Sequence, residues 1–251
     1  MSRLIDSIPV RIQGGPNAGL RWSLASSGRG YRRGSFEKSR VDTFTALLAS
    51  GDVVWDIGAH KGYLSLAAAR IVGARGSVVA FEPSSENRAL LERHLEWNSA
   101  RNVRVVPVAV SGSDGEARFG GKGSTITFRI GVGDETVATR TVRTLIERDA
   151  LPAPTVLKID AEGAEVDILR GAGDHLRAIG LVFISVHGRE LYHECDSILT
   201  AAGFRVFPSS AAAARLRDSQ APWGGDKELL AVSSGRGLAA SAVQALPLFA
   251  A

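Results

Sequence analysis

Five short stretches hold the residues best placed to do chemistry: Asp56-Ile57-Gly58-Ala59-His60-Lys61-Gly62, Glu82-Pro83, Ala109 to Ser111, Asp160 to Gly163, and His187. They close, in order, the apolar runs VVWDIG, SVVAFEP, VRVVPVAVS, TVLKIDAEG and GLVFISVHG. A glycine-rich turn after such a run lets the backbone approach a ligand closely, because glycine tolerates the conformations the turn demands. An acid that ends the next run, about 20 residues on, can accept both hydroxyls of an adenosine ribose. An imidazole at the end of a later run can exchange protons near neutral pH. The set points to an adenosine-containing ligand and to a reaction in which a proton changes hands.

Dinucleotides and S-adenosylmethionine (SAM) both fit a glycine-rich turn, and charge separates them better than glycine count. A pyrophosphate seeks the bare positive end of a helix, whereas this run ends in Asp56 and its turn has two glycines in place of GxGxxG. A carboxylate repels a pyrophosphate but attracts the ammonium and sulfonium of SAM. SAM is favoured, with Asp56, Gly58, Ala59, His60, Gly62, Glu82, Pro83, Ala109 and Asp160 as expected cofactor contacts. Glu82 by itself discriminates little, since NAD sites share the ribose-binding acid and an acid before Pro83 could simply cap a turn. His60 and Lys61 bring their backbone near the ligand whatever their side chains do.

These residues need a frame that gathers strand ends at one edge. Tyr63 to Ile71 and Glu86 to Asn98 carry helical spacing between the first three runs, and Val166 to Ala178 and Leu191 to Ala202 follow the later ones, before GFRVF and ELLAVS close the pattern. Alternating β and α units imply a parallel sheet, and uninterrupted apolar strands imply burial on both faces. The expected fold is α/β, Rossmann-like and doubly wound, with a mostly parallel sheet and helices on both faces, of the class I SAM methyltransferase type. We read residues 1–251 as one domain. Residues 1–50 form a lead-in or lid, with a hairpin of Val10 to Ile12 and Leu20 to Leu24 and a helix from Val41 to Ala49. Residues 51–235 form the core, with a small β-hairpin insertion between Gly112 and Arg143, and residues 236–251 form a C-terminal segment.

With VVWDIGAHKGYLS, VVAFEPSSENRALLERHLEWN and VLKIDAEGAEVDILRGA in one order, the sequence resembles the FkbM family of SAM-dependent methyltransferases over residues 33–206. The shared features are Gly34-Ser35-Phe36-Glu37, the D-x-G-A-x-x-G turn, the F-E-P strand end and the distinctive K-I-D-x-E-G-x-E block. The resemblance implies O-methylation of a sugar, polyketide or other natural-product hydroxyl. It also implies that Asp56, Gly58, Gly62 and Glu82 contact SAM, with the Asp160 block flooring the pocket. Family members often carry E-x-H at the next strand end, where this chain has Ser185-Val186-His187.

Methyl transfer is an in-line displacement, so the enzyme chiefly aligns the nucleophile, and a hydroxyl nucleophile also needs a proton acceptor. His187 is the expected base, and Asp160 is expected to face the methionine end of SAM or the substrate. Glu162, and Glu37 from a segment that could fold over the pocket, are expected at the substrate. Lys158 lies two residues before Asp160, on the same strand face, and should pair with Asp56, Asp160 or Glu162, because an unpaired buried charge is costly. Glu165 reads as a first-turn helix acid. His94, His175 and His193 are expected in solvent, and Trp55 and Trp97 in the core. Asp160, Glu162 and His187 are ligands of a kind that suits Mg²⁺, but no spacing demands an ion and Ser185 replaces an acid, so no metal is expected.

The formal charge of +4 and pI near 9.6 come from arginines scattered through every segment, which describes a solvated surface better than a nucleic-acid footprint. An RNA methyltransferase is thereby disfavoured, as no appended RNA-binding module is visible. The remaining rivals are an NAD-dependent oxidoreductase and a binding protein that kept the fold without catalysis. Cys195 is the only cysteine, the N-terminus lacks the apolar core of a signal peptide, and no run approaches the ~20 apolar residues of a membrane span. A cytoplasmic enzyme acting on a small hydroxylated acceptor is expected, away from membranes, with a homodimer open through the apolar C-terminal segment.

Overall fold

The computed structural model describes residues 8–250 apart from 25, 27, 121–128, 132, 219–221 and 224–226. Parts of the lead-in and of the insertion therefore lie outside the described residues. The lead-in forms the expected hairpin, β1 (Pro9–Arg11) antiparallel to β2 (Arg21–Ser23), then a short helix α1 (Arg29–Arg33) and α2 (Lys38–Ala46). The second helix starts three residues before the expected Val41, with Glu37 as its N-cap.

The continuous apolar runs are buried between two layers, as two-sided burial requires. In chain order the core comprises β3 (Val53–Ile57), α3 (Tyr63–Val72), β4 (Ser77–Phe81), α4 (Ser85–Trp97) and β5 (Val103–Val106). After the insertion come α5 (Val142–Glu147), β10 (Val156–Ile159), α6 (Glu165–Ala172), β11 (Leu181–Val186), α7 (Arg189–Ala201), β12 (Arg205–Pro208), α8 (Ser210–Arg217), β13 (Lys227–Val232) and α9 (Ala240–Gln244). The sheet order is β5-β4-β3-β10-β11-β13-β12, with β13 antiparallel to both of its neighbours. Between β3 and β10 the connections diverge in opposite directions, which creates the crevice where α/β sheets bind ligands. No helix among the described residues is long and apolar enough to cross a membrane.

Alternate strand residues pack on opposite layers. Trp55, Ile57, Leu157, Ile159, Ile184 and Val186 meet α5, α6 and α7, while Val54, Val156 and Phe183 meet Phe44 of α2 and Ala68 of α3. The second face carries Asp56, Lys158 and Ser185 at its carboxyl edge, with Lys158 directly opposite Asp56 in register. Polar residues placed two apart along these strands are thus gathered under α2.

Three expectations need correction. The run VRVVPVAVS is not one strand: Pro107 has no N–H to give a ladder, so β5 stops at Val106 and Ala109–Val110 peel off as β6. Instead of a small hairpin, the insertion supplies three strands, β7 (Gly115–Gly120), β8 (Arg129–Ile130) and β9 (Glu135–Arg140), which join β6 in a four-stranded sheet of order β6-β9-β7-β8. Helix α6 is also shorter than expected, ending before Gly173, whose φ of 55 suits a helix stop, and residues 173–178 continue as a 3₁₀ turn.

Candidate active site

A cleft of about 1120 Å³, counting its open mouth, lies outside the carboxyl ends of β3, β4 and β10. Of the residues expected at the cofactor and substrate, Gly58, Ala59, His60, Glu82, Pro83, Ala109, Asp160, Glu37 and Glu162 line it. Asp56, Gly62 and His187 are not among its lining. Among the described residues, five non-glycines have positive φ, and three of them, Glu37, His60 and Glu162, line the cleft. Backbone held in that region is costly and collects at functional sites.

The turn after β3 is fixed from below. Gly58 has φ 74, and a Cβ there would stand 2.0 Å from the Asp160 carbonyl oxygen, so no side chain fits. The Lys158 ammonium donates to the carbonyls of Gly58 at 2.9 Å and Ile57 at 3.2 Å and pairs with Asp56 at 2.8 Å. The Ser65 hydroxyl donates to the other Asp56 oxygen at 2.6 Å. Lys158 does find the acid partner expected of it. The electrostatic role expected of Asp56 changes, however: its charge is spent on Lys158, and it shapes the turn rather than facing a ligand. Gly62 serves packing, since a Cβ there would meet Leu91 at 2.3 Å.

Glu82 faces the cleft across that turn. Its two oxygens accept the N–H groups of Ser84 at 2.9 Å and His60 at 2.7 Å, which holds the carboxylate in one orientation with lone pairs left for further donors. Burial pushes its carboxyl up to about 7, against the opposing pull of those N–H groups.

At the far end stands Asp160. The Arg40 guanidinium, buried under α2, donates to it at 2.7 Å, to Glu37 at 2.9 Å, and to the Ser185 hydroxyl. Burial alone would raise the Asp160 carboxyl, but Arg40 and Lys158 prevail and hold it at about 2. Asp160 therefore stays ionised and cannot keep a proton. Sequence reasoning missed Arg40: an arginine on an amphipathic helix reads as solvent-facing, and the available signal was Ser185, where the missing acid leaves room for a basic side chain.

His187, just past β11, stands one layer behind the cleft. Its Nδ1 is 2.7 Å from Glu165, and its Nε2 is 3.7 Å from Asp160 and 3.6 Å from Glu162. Glu165 stands in the first turn of α6, as expected, and is fully buried there. His94 was expected in solvent and is also buried, accepting the Ser23 N–H at 2.9 Å through Nε2 while Nδ1 donates to the Lys61 carbonyl at 2.8 Å. Burial lowers its pKa to about 4, so it stays neutral and ties β2 to the cofactor turn. Trp97 is half-buried rather than core. Trp22 stacks on His94 with centroids 3.7 Å apart, and Tyr31 stacks on Phe36 at 3.8 Å, so the lead-in presents an aromatic wall to the cleft.

A family profile described as Methyltransferase FkbM domain matches residues 56–206. The chain belongs to the FkbM methyltransferase family. It is 29% identical over 143 residues to the hexuronic acid methyltransferase AglP of Haloferax volcanii, a match covering 54% of this chain and 56% of that one. The chain therefore spans little more than half the length of this relative. Among solved structures, the methyltransferase FkbM from Methylobacillus flagellatus KT is 18% identical with a TM-score of 0.53, over 73% of this chain and 44% of that one. A precorrin-6y C5,15-methyltransferase from Geobacter metallireducens GS-15 is 17% identical with a TM-score of 0.50, over 79% and 88%. These two share the fold.

The cofactor of this FkbM-family chain is SAM. The residues fit it: Glu82 offers two oriented carboxylate oxygens for a ribose, and Gly58 leaves the space that a close ligand approach requires. Asp160, Glu162 and His187 each offer one ligand atom within 4.8 Å of the others, a spacing that by itself would admit a cation. One of the three, Asp160, already faces two cations, Arg40 and Lys158.

Proposed function

We propose that this FkbM-family enzyme methylates a hydroxyl oxygen of a small acceptor of the sugar type. The observation that carries this is the cluster at the far end of the cleft, where the Glu162 carboxylate lines the cavity and the His187 Nε2 stands 3.6 Å behind it. A hydroxyl must lose its proton as it is methylated, so a proton acceptor at this point suits oxygen as the nucleophile. The sugar class is supported by the AglP relative, whose name states a hexuronic acid. It is supported too by the wall of Tyr31 and Phe36 beside Glu37 and Glu162, which offers ring faces and carboxylate acceptors together, a surface suited to polyols.

When bound, SAM supplies a methyl group on a sulfonium. Glu82 would hold the ribose through its two oriented oxygens, and the turn Gly58-Ala59-His60 would offer its backbone to the cofactor. Asp160, kept ionised by Arg40, supplies a fixed negative charge at the end where the sulfonium belongs. Glu162 orients the acceptor hydroxyl, and its proton passes by way of Glu162 to Nε2 of His187. Positioned bases of this kind contribute roughly 10²- to 10⁴-fold. Arg40 and Lys158 already flank Asp160, and the cluster handles the proton through Glu162 and His187.

The test uses SAM labelled with ¹³C in its methyl group, incubated with the enzyme and, separately, hexuronic acids, neutral hexoses and total RNA. A methyl ether on a sugar, formed together with S-adenosylhomocysteine, is expected. Label found in RNA or on nitrogen would overturn the proposal.

A further inference from the structure

We infer that Glu165 is a positioning residue that holds His187 as its Nδ1–H tautomer and turns the basic Nε2 toward Asp160 and Glu162. The functional half of this inference rests on His187 being the proton acceptor proposed above; the structural half does not.

The starting point is where Glu165 lies. A first-turn acid can serve a helix dipole from an exposed position, whereas Glu165 is fully buried and needs partners of its own. Burying a carboxylate is costly unless donors or a cation compensate it. Its Oε1 is 3.0 Å from the Gly163 N–H and 2.7 Å from the His187 Nδ1, while its Oε2 has no hydrogen-bond partner among the described residues. The imidazole is therefore the group that compensates the charge. An ionised carboxylate only accepts, so Nδ1 must carry hydrogen whether the ring is neutral or charged, and Nε2 is left as the titrating atom. The same oxygen also pins Gly163, at the turn where Glu162 takes its left-handed backbone, so one side chain sets both members of the Glu162–His187 pair.

The charge pattern favours the same assignment. The groups facing the ring are the carboxylates of Glu165 from α6 and of Asp160 and Glu162 from the turn after β10. The nearby cations, Arg40 from α2 and Lys158 from β10, bond to Asp160 and Asp56 instead. In the transfer, the S–CH₃ bond breaks with its electron pair left on sulfur, the O–CH₃ bond forms, and the hydroxyl proton ends on Nε2. One positive charge leaves sulfur and one appears on the imidazole. The charge thus moves onto a ring that three carboxylates face, and Glu165 is the one that touches it.

The test reads the ring nitrogens directly. In ¹⁵N-labelled protein without cofactor, long-range ¹H–¹⁵N correlations report the tautomer and titration of His187, assigned by their loss in His187→Gln. Wild type should show the neutral Nδ1–H form, and Glu165→Gln should lower the His187 midpoint by about one pH unit or more, since a neighbouring carboxylate favours the charged ring. In turnover, Glu165→Gln should lose about tenfold or more in kcat, with the SAM Kd and acceptor KM within about twofold, and the acidic limb of kcat should move to lower pH. A neutral Nε2–H form in wild type would overturn the inference, and that measurement stands even if the variant does not fold. Saturable Mn²⁺ binding abolished by His187→Gln would put a metal on Nε2 and overturn the proposed base, while leaving the Glu165 contact to Nδ1–H in place. A midpoint that falls with kcat unchanged would keep Glu165 as the partner of His187 but remove His187 from the reaction, which overturns the proposed base and not the hydrogen bond.

Discussion

Replacing Lys158 with methionine should destabilise the protein severely, and the structure sets the size of the effect. Lys158 and Asp56 are 2% and 1% exposed and 2.8 Å apart, so water screens neither. Methionine keeps the length and apolar stem but leaves Asp56 with only the Ser65 hydroxyl, and it frees the Gly58 carbonyl from its 2.9 Å donor. Breaking a buried pair from one side costs about 3–5 kcal/mol, because the surviving charge stays buried. For a chain of this size that is a fall in Tm of roughly 6–20 °C. The double variant Asp56→Asn with Lys158→Met removes the stranded charge and should recover at least half of the loss. Calorimetric melting of wild type, both single variants and the double variant completes the cycle. A single-variant cost below about 1 kcal/mol, or a double variant no more stable than Lys158→Met, would refute the assignment of Lys158 as a structural ion-pair partner.

Cofactor affinity should depend on pH through Glu82. Its carboxyl is raised to about 7, so the free enzyme holds a proton there at lower pH that the ribose-binding carboxylate must give up. The Kd for SAM should therefore rise as pH falls below about 7, by up to about tenfold per unit, and stay flat in Glu82→Gln; calorimetry between pH 6 and 8.5 checks this. Gly58→Ala would put a Cβ 2.0 Å from the Asp160 carbonyl at a φ of 74, and should weaken SAM binding at least about tenfold in the same assay. His187→Ala should leave the SAM Kd within about twofold and cut kcat by roughly 10²- to 10⁴-fold in a single-turnover assay. Equal loss of binding and turnover would assign His187 to the cofactor.

Much of the frame was legible because it follows from local rules. Unbroken apolar runs ending in Asp56, Glu82 and Asp160 imply buried parallel strands with acids at one edge, and the K-I-D-x-E-G-x-E block marks the family. Lys158 was legible as one half of a pair because a lysine inside an apolar strand must have a partner. What escaped depends on contacts far apart in sequence. Arg40 reaches Asp160 and Ser185 from a helix more than a hundred residues away, and nothing local distinguishes it from a solvated arginine. Glu165 looks the same whether its helix start faces water or His187. His94 is buried only because β2, with Trp22, folds over α4. Asp56 was placed at the right strand end, but its alternation sends the side chain to Lys158 under the turn, which spacing within one strand does not reveal. The four-stranded sheet follows from Pro107, visible in the sequence, together with pairing between Ala109–Val110 and Thr139–Arg140, which is not.

The most direct test of the account is a crystal structure of the enzyme with S-adenosylhomocysteine and a hexuronic acid. The ribose hydroxyls are expected on Glu82, the sulfur pointing to the Asp160 end, and one acceptor hydroxyl between that sulfur and Glu162, with His187 behind it. An acceptor bound instead beside Phe119 and Ile130 at the insertion, or a sulfur turned away from Glu162, would contradict it.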